Sequence, residues 1–216
     1  MYPKSINYWL RKIRIRGAWL LLIVAVLLAR QELYWPGLVL AFSGLMVRLW
    51  ASGHIDKDGS LANSGPYAYT RNPLYLGSLI MALGFCWALS SYVLFALVAI
   101  LFSLIYYPTM IEEEKKLFKK FGKEFKLYQK SVPRLFPNRL IPIKRSIKKF
   151  SWSQVRQNHE WRAILVFLLL CFTFDLAEDV IHPFIDQKAS FPALVKDYAQ
   201  LAGDRHLDKK SVKGKE

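Results

Sequence analysis

The chain has 216 residues, of which 53% are hydrophobic, and a formal net charge of +15. That apolar share exceeds the roughly 45–50% of an average soluble domain, which argues against an ordinary water-soluble globule. The charge alone fits nucleic acid, but it lies beside long apolar blocks, where a basic surface reads anionic lipid headgroups instead.

Residues 1–16 carry Lys4, Arg11, Lys12, Arg14 and Arg16 and lead into an uncharged block, Gly17 to Ala29. Basic residues before an apolar run also open a secretory signal peptide. Here no small-residue cleavage site follows Ala29, and the next apolar stretch begins at once, from Leu33 to Val47. Leu74 to Ser91 and Tyr92 to Ile111 are likewise uncharged. A bilayer core of about 30 Å needs about 20 helical residues. The last two blocks meet that length, and snorkelling of Arg16, Arg30 and Arg48 extends the first two. The block Ala163 to Phe174 is either a fifth span reaching to about Phe184 or a re-entrant or interfacial helix. Cys86 and Cys171 lie inside apolar blocks, where packing is the expected role.

Between the second and third blocks, the loop Ser52 to Pro73 holds Gly53, Gly59, Gly65, Pro66, Asp56 and Asp58, the composition of a tight polar turn region. After the fourth block, Leu117, Phe118, Phe121, Phe125 and Tyr128 recur at helical spacing among Lys115, Lys116, Lys119, Lys120, Lys123 and Lys126. This predicts an amphipathic helix on the membrane surface, bent or broken at Gly122, that roofs a site opening to the bilayer. Residues 111–160 carry 14 Lys/Arg against 5 Asp/Glu. Four spans return this region to the side of the basic N-terminal arm, and the positive-inside rule makes that side cytoplasmic. The expected fold is therefore an all-α membrane protein with four to five transmembrane helices and a cytoplasmic amphipathic helix. Residues 1–140 read as one membrane domain. Residues 141–216 read as an extension with a membrane-associated helix at about 162–184 and a charged tail, disordered at its end.

Two segments flank the hairpin of the third and fourth spans and return to one surface. The first runs from Asn63 to Gly77, and the second takes in Glu113, Glu114 and the residues to Pro137. Pro66 and Pro73 restrict the residues before them and stiffen the loop. Tyr67, Tyr69 and Tyr75 either belong to an interfacial aromatic belt or present ring faces to a cation such as a sulfonium. Arg71 and Arg134 fit lipid phosphate. Glu112 to Glu114 either complement a helix start and its lysines, or supply a carboxylate for the ammonium or ribose of a cofactor.

The pattern Gly65-Pro66-Tyr67-x-Tyr69-x-Arg71-Asn72-Pro73-x-Tyr75-x-Gly77, followed by Glu113-Glu114-x-x-Leu117-x-x-x-Phe121-Gly122-x-x-Phe125-x-x-Tyr128, resembles the isoprenylcysteine carboxyl methyltransferase and phospholipid methyltransferase superfamily in its bacterial form. The resemblance covers residues 45–137. It implies an integral membrane methyltransferase that uses S-adenosylmethionine without a Rossmann domain, and the chain has no Gly-x-Gly-x-x-Gly. By position, it implies cofactor contacts at Gly59, Ser60, Leu61, Ala62, Tyr67, Asn72, Pro73, Leu74, Tyr75, Glu113 and Glu114, with His54 at the border. Arg71 and Glu113 are its implied catalytic residues.

Two departures concern the acceptor. Asn72 stands where eukaryotic isoprenylcysteine enzymes have histidine. Thr109 stands where they have the arginine that serves the substrate carboxylate, so a prenylcysteine is disfavoured. The expected acceptor is lipid-like or a small hydrophobe bearing a carboxylate, thiol or amine, drawn from the bilayer with no nucleic acid and no obligate protein partner. Competing readings are an NADPH-dependent membrane reductase related to sterol reductases and a non-catalytic membrane scaffold. His54, His159, His182 and His206 form no metal-ligand pattern.

Overall fold

The computed structural model describes residues 34–55, 59–138 and 149–176. The basic arm, the block Gly17–Ala29, Asp56 and Asp58, the expected extension of the last apolar block over 177–184, and the charged tail lie outside the described residues.

All regular structure among the described residues is helical. In chain order it comprises α1 (Trp35–Ser52), a 3-10 turn (Gly65–Ala68), α2 (Pro73–Ala88), α3 (Tyr92–Leu101), α4 (Tyr107–Phe121), α5 (Lys123–Ser131), α6 (Trp152–Gln157) and α7 (Trp161–Leu176). A π-helical turn, Phe102–Tyr106, joins α3 to α4 without a break. The apolar block and the first half of the amphipathic segment are therefore one helix of 30 residues. This helix and α1 are long and apolar enough to cross a membrane, and α2 is a shorter apolar helix of 16 residues.

Local chemistry sets the ends. Pro36 and Pro73 occupy first-turn positions, where a missing N–H costs nothing and the fixed φ suits a helix. Ser91 Oγ accepts the Leu94 N–H at 3.4 Å and caps α3. Gly122, at φ 51°, ends α4 in the left-handed region and starts α5, as its place in the amphipathic pattern predicts. α1 runs five residues beyond the apolar stretch that predicts it, which stops at Val47. The intervening charge, Arg48, is neutralised by Glu160 and also donates to Ser78 and to the Leu74 carbonyl.

α1 and α2 pack backbone to backbone. A Cβ at Gly44 would lie 2.4 Å from the Met81 nitrogen, and one at Gly84 would lie 2.2 Å from the Ala41 nitrogen. Small residues that let helices approach this closely are the usual means of association where lipid removes the hydrophobic driving force. Leu79, Phe85, Cys86, Leu94 and Val98 fill the adjoining core, while Val39, Phe42, Leu104, Leu168 and Phe172 are exposed on helix faces. Large apolar side chains facing outward from several helices are stable against lipid and costly against water.

The described residues up to Phe174 belong to one compact unit, and everything described below lies in it.

Candidate cofactor site

Residues 61–73 are held by α5 and the chain that follows it. The Tyr128 hydroxyl donates to the Tyr67 carbonyl at 2.7 Å, and the Arg71 N–H donates to the Pro133 carbonyl at 2.9 Å. Thr70 Oγ1 and Asn72 Nδ2 both donate to the Arg134 carbonyl, at 3.1 and 3.0 Å. Leu61, Phe125, Tyr128 and Val132 bury the contact.

These ties leave a cavity of about 310 Å³. Ser60, Leu61, Ala62, Tyr67, Arg71, Asn72, Pro73, Leu74 and Tyr75 line it from one side, and Glu113 lines it from α4. The two segments singled out in the sequence therefore meet, and Tyr75 links them by donating its hydroxyl to Glu113 Oε1 at 2.9 Å. The Tyr75 ring also lies 5.7 Å from that of Tyr106 in the π-turn.

Glu114 takes a different place. One residue further round a helix is a turn of about 100°, and Glu114 is buried away from the cavity wall. It receives Arg134 through Nε at 3.0 Å and Nη2 at 3.1 Å, a bidentate pair, and Asn72 Nδ2 at 3.3 Å. Arg71 Nη1 lies 3.5 Å from it on the other side. Glu114 thus fastens α4 to the start of α2 and to the segment after α5. Gly59 is also absent from the lining. Thr109 turns its hydroxyl back to the Ile105 carbonyl at 2.6 Å and borders no cavity wall at this site. His54 is buried behind the site, with Nδ1 2.9 Å from the Trp50 carbonyl.

Ile55, Leu117, Lys120, Phe121 and Tyr128 complete the lining. Leu117, Phe121 and Tyr128 are the apolar stripe of the amphipathic pattern, which already pointed to a roof. Ile55 and Lys120 carry no motif signal, and only the folded chain assigns them.

Burial, then proximity to Tyr128 and Glu113, pushes the Tyr67 phenol well above its ordinary value of 10.0. It therefore remains a neutral phenol with its ring on the cavity. Burial also lowers Arg71, opposed by Glu114. Arg134 is raised, chiefly by its hydrogen bonds to Glu114. Arg71 Nε and Nη1 are buried without a hydrogen bond. Glu113 and Arg71 thus bring an acidic and a basic side chain to the same cavity as the Tyr67 and Tyr75 rings, a lining that can hold a ligand carrying both charges. The volume lies at the lower end of small-molecule sites, which span about 300–1,000 Å³. Among the described residues no three His, Cys, Asp or Glu side chains gather as a metal site.

Residues 22–124 match the phospholipid methyltransferase family. The chain is 35% identical over 92 residues to the cobalt-zinc-cadmium resistance protein CzcN of Cupriavidus metallidurans, covering 42% of each chain. It is 29% identical over 150 residues to the nickel-cobalt-cadmium resistance protein NccN of Alcaligenes xylosoxydans xylosoxydans, covering 62% of this chain and 70% of that one. It is 36% identical over 87 residues to the protein-S-isoprenylcysteine O-methyltransferase of Schizosaccharomyces pombe, covering 40% of this chain and 36% of the yeast protein. The match thus spans less than half of CzcN and of the yeast enzyme. No solved structure matches the chain. The segment that matches the phospholipid methyltransferase family, 22–124, contains both the Arg71-Asn72-Pro73-Leu74-Tyr75 motif and the Glu113-Glu114 pair.

Proposed function

We propose that the protein is a multi-pass membrane enzyme that transfers a methyl group from S-adenosylmethionine to a lipid-like or small hydrophobic acceptor at the cytoplasmic face. The observation that carries this reading is the convergence of Tyr67, Asn72 to Tyr75 and Glu113 on one cavity of about 310 Å³, joined by the Tyr75–Glu113 hydrogen bond. The family of residues 22–124 supplies the reaction class. Orientation rests on the basic flanks, which the positive-inside rule assigns to the cytoplasm together with the site.

When bound, S-adenosylmethionine supplies a methyl group on a positively charged sulfur. Glu113 would hold the ammonium or ribose, and Arg71 the carboxylate, while Tyr67 and Tyr75 offer ring faces to the positive centre. Displacement at a methyl group needs alignment and a dry site more than proton transfer. Leu61, Leu117 and Phe121 provide the apolar cover. Tyr67 is held protonated, so it positions groups and does not take a proton at neutral pH. The site accordingly favours an acceptor that arrives as an anion, a carboxylate or thiolate, over an amine that must first lose a proton. Glu114 is assigned to holding the site together, and Thr109 provides no cation for a prenylcysteine carboxylate.

Detergent-purified protein incubated with methyl-labelled S-adenosylmethionine and a total lipid extract is expected to place label in an organic-soluble product. Glu113→Ala, correctly folded, is expected to lose it. Unchanged cofactor affinity in Glu113→Ala would remove the site assignment.

A further inference from the structure

The chain beyond the family-matched segment meets the cavity wall from behind. Ser151 N–H donates to the Gly53 carbonyl at 3.1 Å, and Asn158 Nδ2 donates to the carbonyls of Ser52 at 2.8 Å and Ile55 at 3.3 Å. These acceptors sit where α1 ends, the position at which helical carbonyls lack intrahelical partners. The Phe150 ring closes over Gly53 so tightly that a Cβ there would lie 2.2 Å from its Cε2, and it lies 6.0 Å from the His54 ring. Val155 packs on Leu45 and Leu49. Glu160 receives Arg48, with Oε2 3.0 Å from Nη2, and Arg48 Nη1 reaches the Leu74 carbonyl at 3.3 Å.

Each anchor leads to the cavity. Ile55 and Leu74 line it directly. His54 abuts Gly65, where an added Cβ would lie 2.5 Å from its Nε2, and Gly65 starts the turn that carries Tyr67. None of the strap residues, from Phe150 to Glu160, lies within 22–124.

We infer that residues 150–160 are a positioning strap for the donor site, with Asn158 and Phe150 setting the wall of Ile55 and Tyr67, and Glu160 holding Leu74 through Arg48. A C-terminal segment outside the family's matched region thereby governs donor affinity. This inference rests on the reading of the cavity as the S-adenosylmethionine site.

The test uses the full chain in detergent, with donor Kd by calorimetry, donor KM and kcat on a lipid extract, and thermal unfolding. Asn158→Ala removes hydrogen bonds without touching the cavity and is expected to raise donor Kd and KM about fivefold, with kcat falling less than about twofold. Gly53→Ala is expected to act likewise by displacing the Phe150 ring. Adding Phe150→Leu to it makes room for the new methyl group while keeping an apolar side chain against the end of α1, and is expected to recover most of the affinity, a rescue that a general loss of stability does not produce. Wild-type donor affinity in folded Asn158→Ala and Gly53→Ala overturns the strap. Absence of rescue in the double variant, with both variants weakened, also overturns it. If the wild-type chain itself binds no S-adenosylmethionine, the donor-site reading is what fails.

Discussion

Tyr75 and Glu113 stand 38 positions apart in the chain and meet through a hydrogen bond of 2.9 Å from the phenol to the carboxylate. This contact closes the cavity between the start of α2 and α4, and it fixes the one acidic side chain that lines that cavity among the described residues. Tyr75→Phe keeps the ring against Tyr106 and deletes only the donor. A hydrogen bond to a charged group is worth enough that its loss is expected to weaken S-adenosylmethionine binding about tenfold by calorimetry. A variant indistinguishable from wild type would separate Glu113 from the cofactor.

Glu113 and Glu114 are adjacent and have opposite predicted signatures. Glu114→Ala leaves Arg71 and Arg134 without their shared partner and is expected to destabilise the fold by about 3–5 kcal/mol. Thermal unfolding in detergent should show a large drop for Glu114→Ala and a small one for Glu113→Ala. The ranking in donor affinity, measured on variants that remain folded, should be the reverse.

Raising the Tyr67 pKa makes a pH prediction of definite sign. The unfolded chain gives up the phenolic proton near its ordinary value of 10.0, whereas the folded chain keeps it to higher pH. Stability contributed by this group is therefore fully present below about pH 10 and falls as pH rises further. Tyr67→Phe, which has no proton to lose, should show a shallower decline in unfolding temperature above pH 10. A parallel decline in both proteins contradicts the buried, neutral phenol.

The helix pair gives a prediction independent of function. A methyl group at Gly44 or Gly84 meets backbone atoms that a side-chain rotation does not move, so Gly44→Ala and Gly84→Ala are expected to force α1 and α2 apart. Overpacking of this kind costs about 1–3 kcal/mol. Thermal unfolding of both variants should show the loss, and wild-type stability in either would mean that the helices are not in backbone contact there.

Much of this site was legible because its residues cluster in sequence. Tyr67 and Asn72 to Tyr75 fall in one short run, and the topology of a helical hairpin brings Glu113 back to it. What the pattern did not contain was azimuth: neighbouring glutamates differ by about 100° on a helix, and only packing decides that Glu113 faces the cavity and Glu114 the arginines. Thr109 was read from its motif position as acceptor-facing, whereas the folded chain returns its hydroxyl to Ile105. The apolar stretch that predicts α1 stops at Val47, and Arg48 was read as snorkelling to lengthen the span. Its partner Glu160 is 112 residues away, and no local periodicity encodes such a pair. The helix from Tyr92 to Phe121 was read as two pieces because its composition changes at Glu112, whereas the folded chain carries one helix past Pro108, which directly follows the π-turn Phe102–Tyr106.

The central claim is methyl transfer from the cavity that holds Tyr67, Tyr75 and Glu113. Its most direct test is calorimetric titration of the purified full chain with S-adenosylmethionine, followed by incubation of the same preparation with the methyl-labelled compound and a total lipid extract. Saturable binding with label in the organic phase, both lost in folded Glu113→Ala, is the predicted result. No binding by the folded wild-type protein and no label in any lipid fraction would contradict it.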